Sequence, residues 1–274
     1  MIKKNKKANS RFQTVNLNKI MPVSKRSQVT IFIILALILI VGIVLIFLLR
    51  QAPKTEVVSE DDPQAFIQSC TREVIEEALE IIMINAGSLE SKGTMKYQGE
   101  NVSYLCYNKN YYEGCVNQNP LLIGHIEDEI TEYIKPRVSN CFQVLEETLE
   151  PRYEVQMEES WNLETKLTPQ GVEVEIKRDF KMQRGDNVQS FNLFKINILH
   201  PIYRLAEIAM EIVNQEARYC NFDILGFMII YPQYDITKFR TGDSNTIYSI
   251  KESATEREYG FTFAVRSCAI PAGF

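Results

Sequence analysis

The feature that most constrains this chain is an apolar run near its N-terminus. Val29–Leu49 contains 21 consecutive residues without a charge. At a rise of about 1.5 Å per residue, a helix of this length is about 32 Å long, which matches the hydrocarbon thickness of a bilayer. The run therefore predicts a single transmembrane helix over residues 29–49, and the bilayer is the first expected partner.

The charges on either side of this run predict its orientation. Residues 1–28 contain eight basic side chains and no acidic one, whereas residues 51–274 contain 21 basic and 35 acidic side chains, a net charge of −14. Basic residues beside a membrane segment stay in the cytoplasm. We therefore expect a basic cytoplasmic tail over 1–28 and an extracytoplasmic C-terminal part at the cell membrane. Because nucleic-acid binding needs a basic surface, the acidic charge of this part argues against nucleic acid as a partner.

A cleaved secretory signal peptide is the alternative interpretation of the apolar run. Its hydrophobic region would have about 7–15 residues and would end at small residues. The run here is longer, and the residues at its end, Phe47–Pro53, contain no small-residue cleavage site. This favours a signal-anchor that is retained. Residues 50–62 are polar and predict a tether. Residues 63–274 then form the extracytoplasmic domain, with a subdivision near residue 150 as an option.

Hydrophobic periodicity predicts an α+β class for this domain, with helices and an antiparallel sheet joined by disulfides. Apolar residues at three-to-four spacing indicate three helices, and alternating patterns indicate strands between and after them. Pro136 predicts a kink or a break in the second helix. The predicted helices cover 63–87, 121–149 and 201–220. The predicted strands include a hairpin within 93–118 and a three-stranded meander over 152–163, 172–182 and 189–199, and the region from 225 onward is predicted as strands or as a short helix followed by strands.

All six cysteines lie after the apolar run, in the part expected outside the cytoplasm. An even number of cysteines in an oxidising compartment predicts three disulfides, for which 15 connectivities exist. We expect Cys106–Cys115 to close a short loop, Cys70–Cys141 to join two helices and Cys220–Cys268 to join a helix end to the last strand. Free buried cysteines are the alternative. A zinc site is disfavoured because the chain has no C-x₂-C pair and only two histidines.

Two further features of the domain are candidates for surface function. Asn101-Val102-Ser103 is an N-glycosylation sequon at a predicted turn. Four tyrosines surround the short cysteine loop, where they either pack against the loop or form a stacking surface for a carbohydrate or peptide; these are Tyr104, Tyr107, Tyr111 and Tyr112.

The sequence carries no catalytic signature, so we expect no enzyme, no metal and no cofactor. Neither histidine lies near a G-x-S-x-G elbow, and the chain lacks a P-loop, a G-x-G-x-x-G and an H-E-x-x-H motif. An anchored extracellular hydrolase would depend on a carboxylate pair. The acids to consider for it lie on and around the third helix: Glu207, Glu211, Glu216, Asp223 and Asp235.

The block from Lys25 to Phe32 (KRSQVTIF) resembles the processing junction of archaeal type IV pilins with class III signal peptides. In these proteins a basic pair and a small residue precede a glutamine that begins the mature apolar helix. The resemblance implies cleavage between Ser27 and Gln28. Two residues depart from the pattern: Phe32 stands where such pilins carry glutamate, and Ser27 stands where they carry glycine.

The chain also resembles a group of uncharacterised single-pass surface proteins from small-genome archaea. The similarity includes the VTIFII start of the apolar run, the Tyr219–Phe227 segment and the ending Arg266–Pro271. It implies a cell-surface location and brings no activity. We therefore expect a membrane-anchored surface protein that binds or assembles with other envelope components or with itself. A pilin-like subunit and an anchored hydrolase are the alternatives.

Overall fold

The computed structural model describes residues 33–42, 62–90, 93–253 and 260–271. It divides the chain into two units, Met1–Val57 and Val58–Phe274. Within the first unit, residues 33–42 form a helix. The predicted basic tail, the tether up to residue 61, and the Ser27–Gln28 processing pair lie outside the described residues.

The predicted transmembrane helix over 29–49 is wrong for the part of the chain that the structure describes. No helix in these ranges is both long enough and apolar enough to cross a bilayer. Of the apolar run, the structure describes residues 33–42, which are helical. The described residues form an α+β fold with three disulfides.

The described residues of the second unit form four helices and ten strands. The helices are α1 (Pro63–Ile84), α2 (Leu122–Leu149), α3 (Ile202–Tyr219) and α4 (Ile224–Ile230). The strands are β1 (Thr94–Tyr97), β2 (Glu100–Tyr107), β3 (Val116–Asn117), β4 (Glu154–Met157), β5 (Asn162–Thr168), β6 (Gly171–Arg184), β7 (Asn187–Leu199), β8 (Tyr234–Arg240), β9 (Thr246–Glu252) and β10 (Phe261–Arg266).

The first sheet has six strands in the order β1-β2-β10-β9-β8, with β3 also paired to β2. Its pairings are antiparallel except one: β10 runs parallel to β2. The expected purely antiparallel arrangement is therefore corrected to a mixed sheet. The parallel contact arises because the long crossover from β2 to β10 contains helices and the whole second sheet.

The second sheet has four antiparallel strands around the long strand β6. β7 pairs with β6 along its whole length, while β4 and β5 share the opposite edge. The sequence predicted one strand over 152–163, but the structure breaks it between Met157 and Asn162. β5 pairs with one half of β6 and β4 with the other half.

Helices α1 and α2 pack against each other and are joined by the Cys70–Cys141 disulfide. Asp62 caps α1, because its carboxylate accepts hydrogen bonds from Gln64 N at 3.0 Å and Ala65 N at 3.2 Å. Helix α2 continues through Pro136 as one element. Ile134 and Val138, on either side of the proline, are fully buried. Their burial offsets the cost of the helix hydrogen bond that a proline cannot make.

The main core lies between the helices and the two sheets, and a second small core lies on the other face of the first sheet. Both cores and all three disulfides are contained in Val58–Phe274. A unit of this size with its own core and its own crosslinks is expected to fold by itself.

Candidate ligand-binding cleft

The first sheet has one face against the helices and one face directed away from them. Side chains alternate along its strands, so that Tyr248 and Ile250 of β9 lie in the main core while Ile247 and Ser249 lie on the outer face. The outer face is where the structure forms its candidate site.

A cleft opens on this face because β2 leaves the sheet partway along its length. Tyr104–Tyr107 pair with β10, with a register shift between Ala264 and Val265. The preceding residues of β2 pair with β1 instead. The backbone N–H of Ala86, after α1, donates to Thr262 O of β10 at 3.1 Å. The β1–β2 hairpin is therefore separated from β10 and arches over the outer face.

An aromatic contact closes the far side of this arch. The ring of Tyr97 in β1 lies 5.2 Å from the ring of Phe239 in β8, centroid to centroid. Below it, Val102, Ile247 and Ala264 form the small second core, with Met95, Tyr97 and Tyr104 packed around them. The cleft thus has a packed apolar floor and an aromatic rim.

The cleft has a volume of about 640 Å³, which is within the usual range for small-molecule sites. Its described lining has one acid, Glu100, and no lysine, arginine or histidine. The remaining lining combines apolar side chains with neutral amides and hydroxyls: Ile84, Asn85, Tyr97, Gln98, Asn101, Val102, Thr237, Phe239, Ile247, Ser249 and Thr262. None of the described lining residues is a cation that could neutralise a phosphate or carboxylate.

The polar side chains of the cleft differ in whether they already form hydrogen bonds within the protein. The Thr262 hydroxyl donates to Gly260 O at 3.2 Å and lies 3.1 Å from the Ser249 hydroxyl oxygen. The Gln98 amide donates to the Tyr97 hydroxyl at 3.2 Å. Among the described residues, the exposed amide of Asn101 has no hydrogen-bond partner. Asn101, which is also the acceptor of the predicted sequon, lies in β2 and not in a turn, and its unmodified amide is the group best placed to bond a ligand at the mouth.

A hydrogen-bonded chain supports the floor of the cleft from the side. The Tyr104 hydroxyl donates to Asn245 Oδ1 at 3.0 Å, and the Asn245 amide donates to Asp243 Oδ2 at 2.7 Å. Burial, together with the nearby negative charge of Asp243, raises the pKa of Tyr104 to about 12. Tyr104 therefore stays a neutral hydrogen-bond donor throughout the physiological pH range.

The structure joins the six cysteines in the three pairs given above. Cys106–Cys115 closes the loop between β2 and β3. Cys220–Cys268 joins the end of α3 to the segment that follows β10. Among the described residues there is no free cysteine. The sulfurs are therefore structural and supply no nucleophile.

The tyrosines around the short disulfide loop are organised by Arg266. Its guanidinium lies 5.8 Å from the ring of Tyr107 and 5.3 Å from the ring of Tyr111, and it donates to Asn108 O and Asn110 O. The Tyr104 ring packs against the small second core and also lies 4.9 Å from the ring of Tyr107, centroid to centroid. Tyr104, Tyr107 and Tyr111 therefore form one cluster around Arg266 and the loop.

Three of the five acids considered for hydrolysis have separate structural roles. Glu216 is buried, accepts a hydrogen bond from the Tyr248 hydroxyl and lies 3.4 Å from Lys238 Nζ. Asp223 accepts from Gly226 N at 3.1 Å and caps α4. Glu211 accepts from the Gln215 amide at 2.7 Å. None of these three lines the cleft.

A serine and a histidine that the sequence did not single out lie close together elsewhere. Ser88 Oγ is 2.8 Å from His125 Nε2, and Glu129 Oε1 is 3.6 Å from the same nitrogen. In a catalytic triad the acid holds the other ring nitrogen. The second oxygen of Glu129 accepts from Leu89 N at 2.8 Å. This cluster holds the loop after α1 against α2, and the described residues contain no group able to hold a metal ion.

Sequence reasoning missed the cleft because its residues come from a helix end, a hairpin and three strands. The only available signal was that Thr237 and Phe239 share one face of β8, and Ile247 and Ser249 one face of β9, opposite the buried Ile236, Tyr248 and Ile250. No family model, curated protein or solved structure matches the chain.

Proposed function

We propose that residues 62–271 form an extracytoplasmic binding domain of the cell surface, which holds a small neutral ligand in the cleft beneath Tyr97 and Phe239. The main support for this proposal is the β1–β2 hairpin that arches over the outer face of the first sheet. A hairpin separated from its sheet and closed by an aromatic pair leaves a cleft of about 640 Å³ with amides and hydroxyls at its wall.

The three disulfides support the proposed extracytoplasmic location. Such crosslinks form and persist outside the cytoplasm, and all three lie within the same compact unit. The net charge of −14 on residues 51–274 further supports a partner other than nucleic acid.

The lining favours a neutral sugar among small ligands. Hydroxyl groups of a sugar can bond the Asn101 amide and the Thr237 and Ser249 hydroxyls, while its C–H faces can pack on the rim aromatics Tyr97 and Phe239. An anionic ligand would lose hydration without gaining a counter-ion from the described lining.

Saturation-transfer NMR with a panel of neutral monosaccharides and disaccharides, and with glucuronate as the charged comparison, tests this proposal. We expect transfer to at least one neutral sugar, none to glucuronate, and at least tenfold weaker binding in Phe239→Ala. The matched control is Tyr112→Ala, which removes an exposed ring outside the cleft. Absence of transfer to every sugar, or equal loss in both variants, would overturn the proposal.

A further inference from the structure

Helix α4 presents an apolar surface that the cleft does not use. Its sequence, ILGFMII, has no polar side chain, and none of its seven residues is buried. Leu225 is 67 % exposed, Ile229 82 % and Ile230 70 %. Solvent-exposed aliphatic side chains occur singly on most proteins, but a cluster such as this one marks an interaction surface.

The base of α4 is firmly held, so the exposed side chains are presented in a fixed arrangement. The Cys220–Cys268 disulfide pins the chain just before the helix, and Phe222 is buried. The ring of Phe227 lies 5.5 Å from that of Phe222, and Met228 sulfur accepts from Ile236 N at 3.3 Å. Phe227 and Met228 therefore face the domain while the three aliphatic residues face away from it.

The residues that border this surface have the chemistry of a membrane interface. Tyr219 precedes α4 and Tyr231 follows it, and both are exposed. The Arg218 guanidinium lies 5.2 Å from the ring of Tyr219. Tyrosines favour the headgroup level of a bilayer, and arginine can extend its charge to the lipid phosphate. The nearest acid on this segment, Asp223, is already bonded to Gly226 N.

A second copy of the chain fits this surface less well. A stable protein interface needs about 800 Å² from each partner, whereas three aliphatic side chains and two bordering tyrosines on one short projecting helix offer less. A lipid surface needs no shape complementarity, and each apolar side chain that it buries contributes separately to binding.

We propose that α4 and its two bordering tyrosines insert shallowly into the lipid headgroup region, with Leu225, Ile229 and Ile230 in the acyl boundary. The contact rests on apolar burial and not on charge attraction, since residues 58–274 carry 20 basic and 34 acidic side chains, a net −14. The preferred surface is therefore zwitterionic, and anionic lipid weakens binding at low salt. This inference does not depend on the cleft.

Flotation of the 58–274 unit with phosphatidylcholine vesicles tests the inference. We expect the unit to float, the double variant Ile229→Asn, Ile230→Asn to lose at least tenfold of its bound fraction, and Leu199→Asn to float normally. Leu199 is the matched control because it is an exposed aliphatic residue, 84 % accessible, at the end of β7. Thermal unfolding of each variant shows that it is folded.

Three results would overturn the inference. One is failure of the unmodified unit to float, and another is equal flotation of the double variant and the unmodified unit. The third is a concentration-dependent dimer in sedimentation equilibrium that the double variant abolishes, which would assign the surface to a second copy. Because the cleft is untouched, sugar binding by the double variant separates failure here from failure of the proposed function.

Discussion

The rings of Tyr97 and Phe239 lie 5.2 Å apart, although their strands, β1 and β8, are the two ends of the six-stranded sheet. This contact converts an open sheet face into a cleft. Aromatic pairs contribute about 0.5–1.5 kcal/mol beyond their buried area, so the pair can hold a short hairpin in place without locking it.

Removal of either ring should loosen the arch while leaving the main core intact. For Phe239→Ala we expect faster amide hydrogen exchange over residues 94–103 and a loss of about 1 kcal/mol of unfolding free energy. Exchange in α2 should not change. Tyr112→Ala serves as the control, and equal protection of the hairpin in both variants would show that the ring pair does not hold it.

Alkaline pH should destabilise the domain through Tyr104. Its folded pKa of about 12 lies above the unfolded value of about 10. The unfolded state therefore releases the phenolic proton first, and the stability contributed by the neutral hydroxyl is complete below pH 10 and is lost as pH rises towards 12. The upper limit is about 3 kcal/mol, reduced by solvent screening because the side chain is only half-buried.

The measurement is chemical denaturation at pH 9 and at pH 11.5 for the unmodified unit, Tyr104→Phe and Tyr112→Phe. We expect Tyr104→Phe to lose less stability between the two pH values than the other two proteins. A Tyr104→Phe variant that loses as much as Tyr112→Phe would show that the hydroxyl of Tyr104 does not resist ionisation.

The buried carboxylate of Glu216 should make Lys238 important for stability. Lys238 Nζ lies 3.4 Å from Glu216 Oε1, and the carboxylate is almost fully buried. Lys238→Met would leave that charge without its cation and should cost about 3 kcal/mol. Lys166→Met, which breaks an exposed pair with Glu164 at 3.0 Å, should change stability by less than about 1 kcal/mol.

Urea denaturation of these variants, together with the double variant Glu216→Gln, Lys238→Met, checks the prediction. The double variant should regain part of the loss, because it no longer buries an unpaired charge. Similar costs for Lys238→Met and Lys166→Met would contradict it.

The disulfides should differ in their contribution according to the length of chain that each closes. Cys70 and Cys141 are 71 residues apart, whereas Cys106 and Cys115 are nine apart. Loop-closure entropy gives about 4 kcal/mol for the first and about 3 kcal/mol for the second. Paired Cys→Ala variants compared by urea denaturation under non-reducing conditions test the order, and a larger loss from the short loop would contradict the entropic explanation.

Local patterns in the sequence predicted the elements well, but not the arrangement of the sheets. The helix before Gly87 and the strand around Val174 follow from three-to-four and period-two spacing, because each has one buried face. The parallel pairing of β10 with β2 depends on residues more than 150 positions apart, such as Val265 and Cys106. No local pattern encodes that contact.

Hydropathy predicted a membrane-spanning helix over 29–49, whereas no helix among the described residues is long and apolar enough to cross a bilayer. The cleft, in turn, has no signature in the composition. The cleft forms where β2 separates from β10. There the backbone of Thr262 is bonded by Ala86, which follows α1, and not by a residue of β2. Only tertiary structure brings them together.

The most direct test of the binding proposal is a ¹H–¹⁵N titration of the 58–274 unit with the neutral sugar that gives the strongest saturation transfer. We expect chemical-shift changes concentrated at residues 84–86, 97–102, 237–239, 247–249 and 262, with the Asn101 side-chain amide among the largest. Shift changes confined to the Tyr107–Tyr112 loop, or to the face of the second sheet, would contradict it.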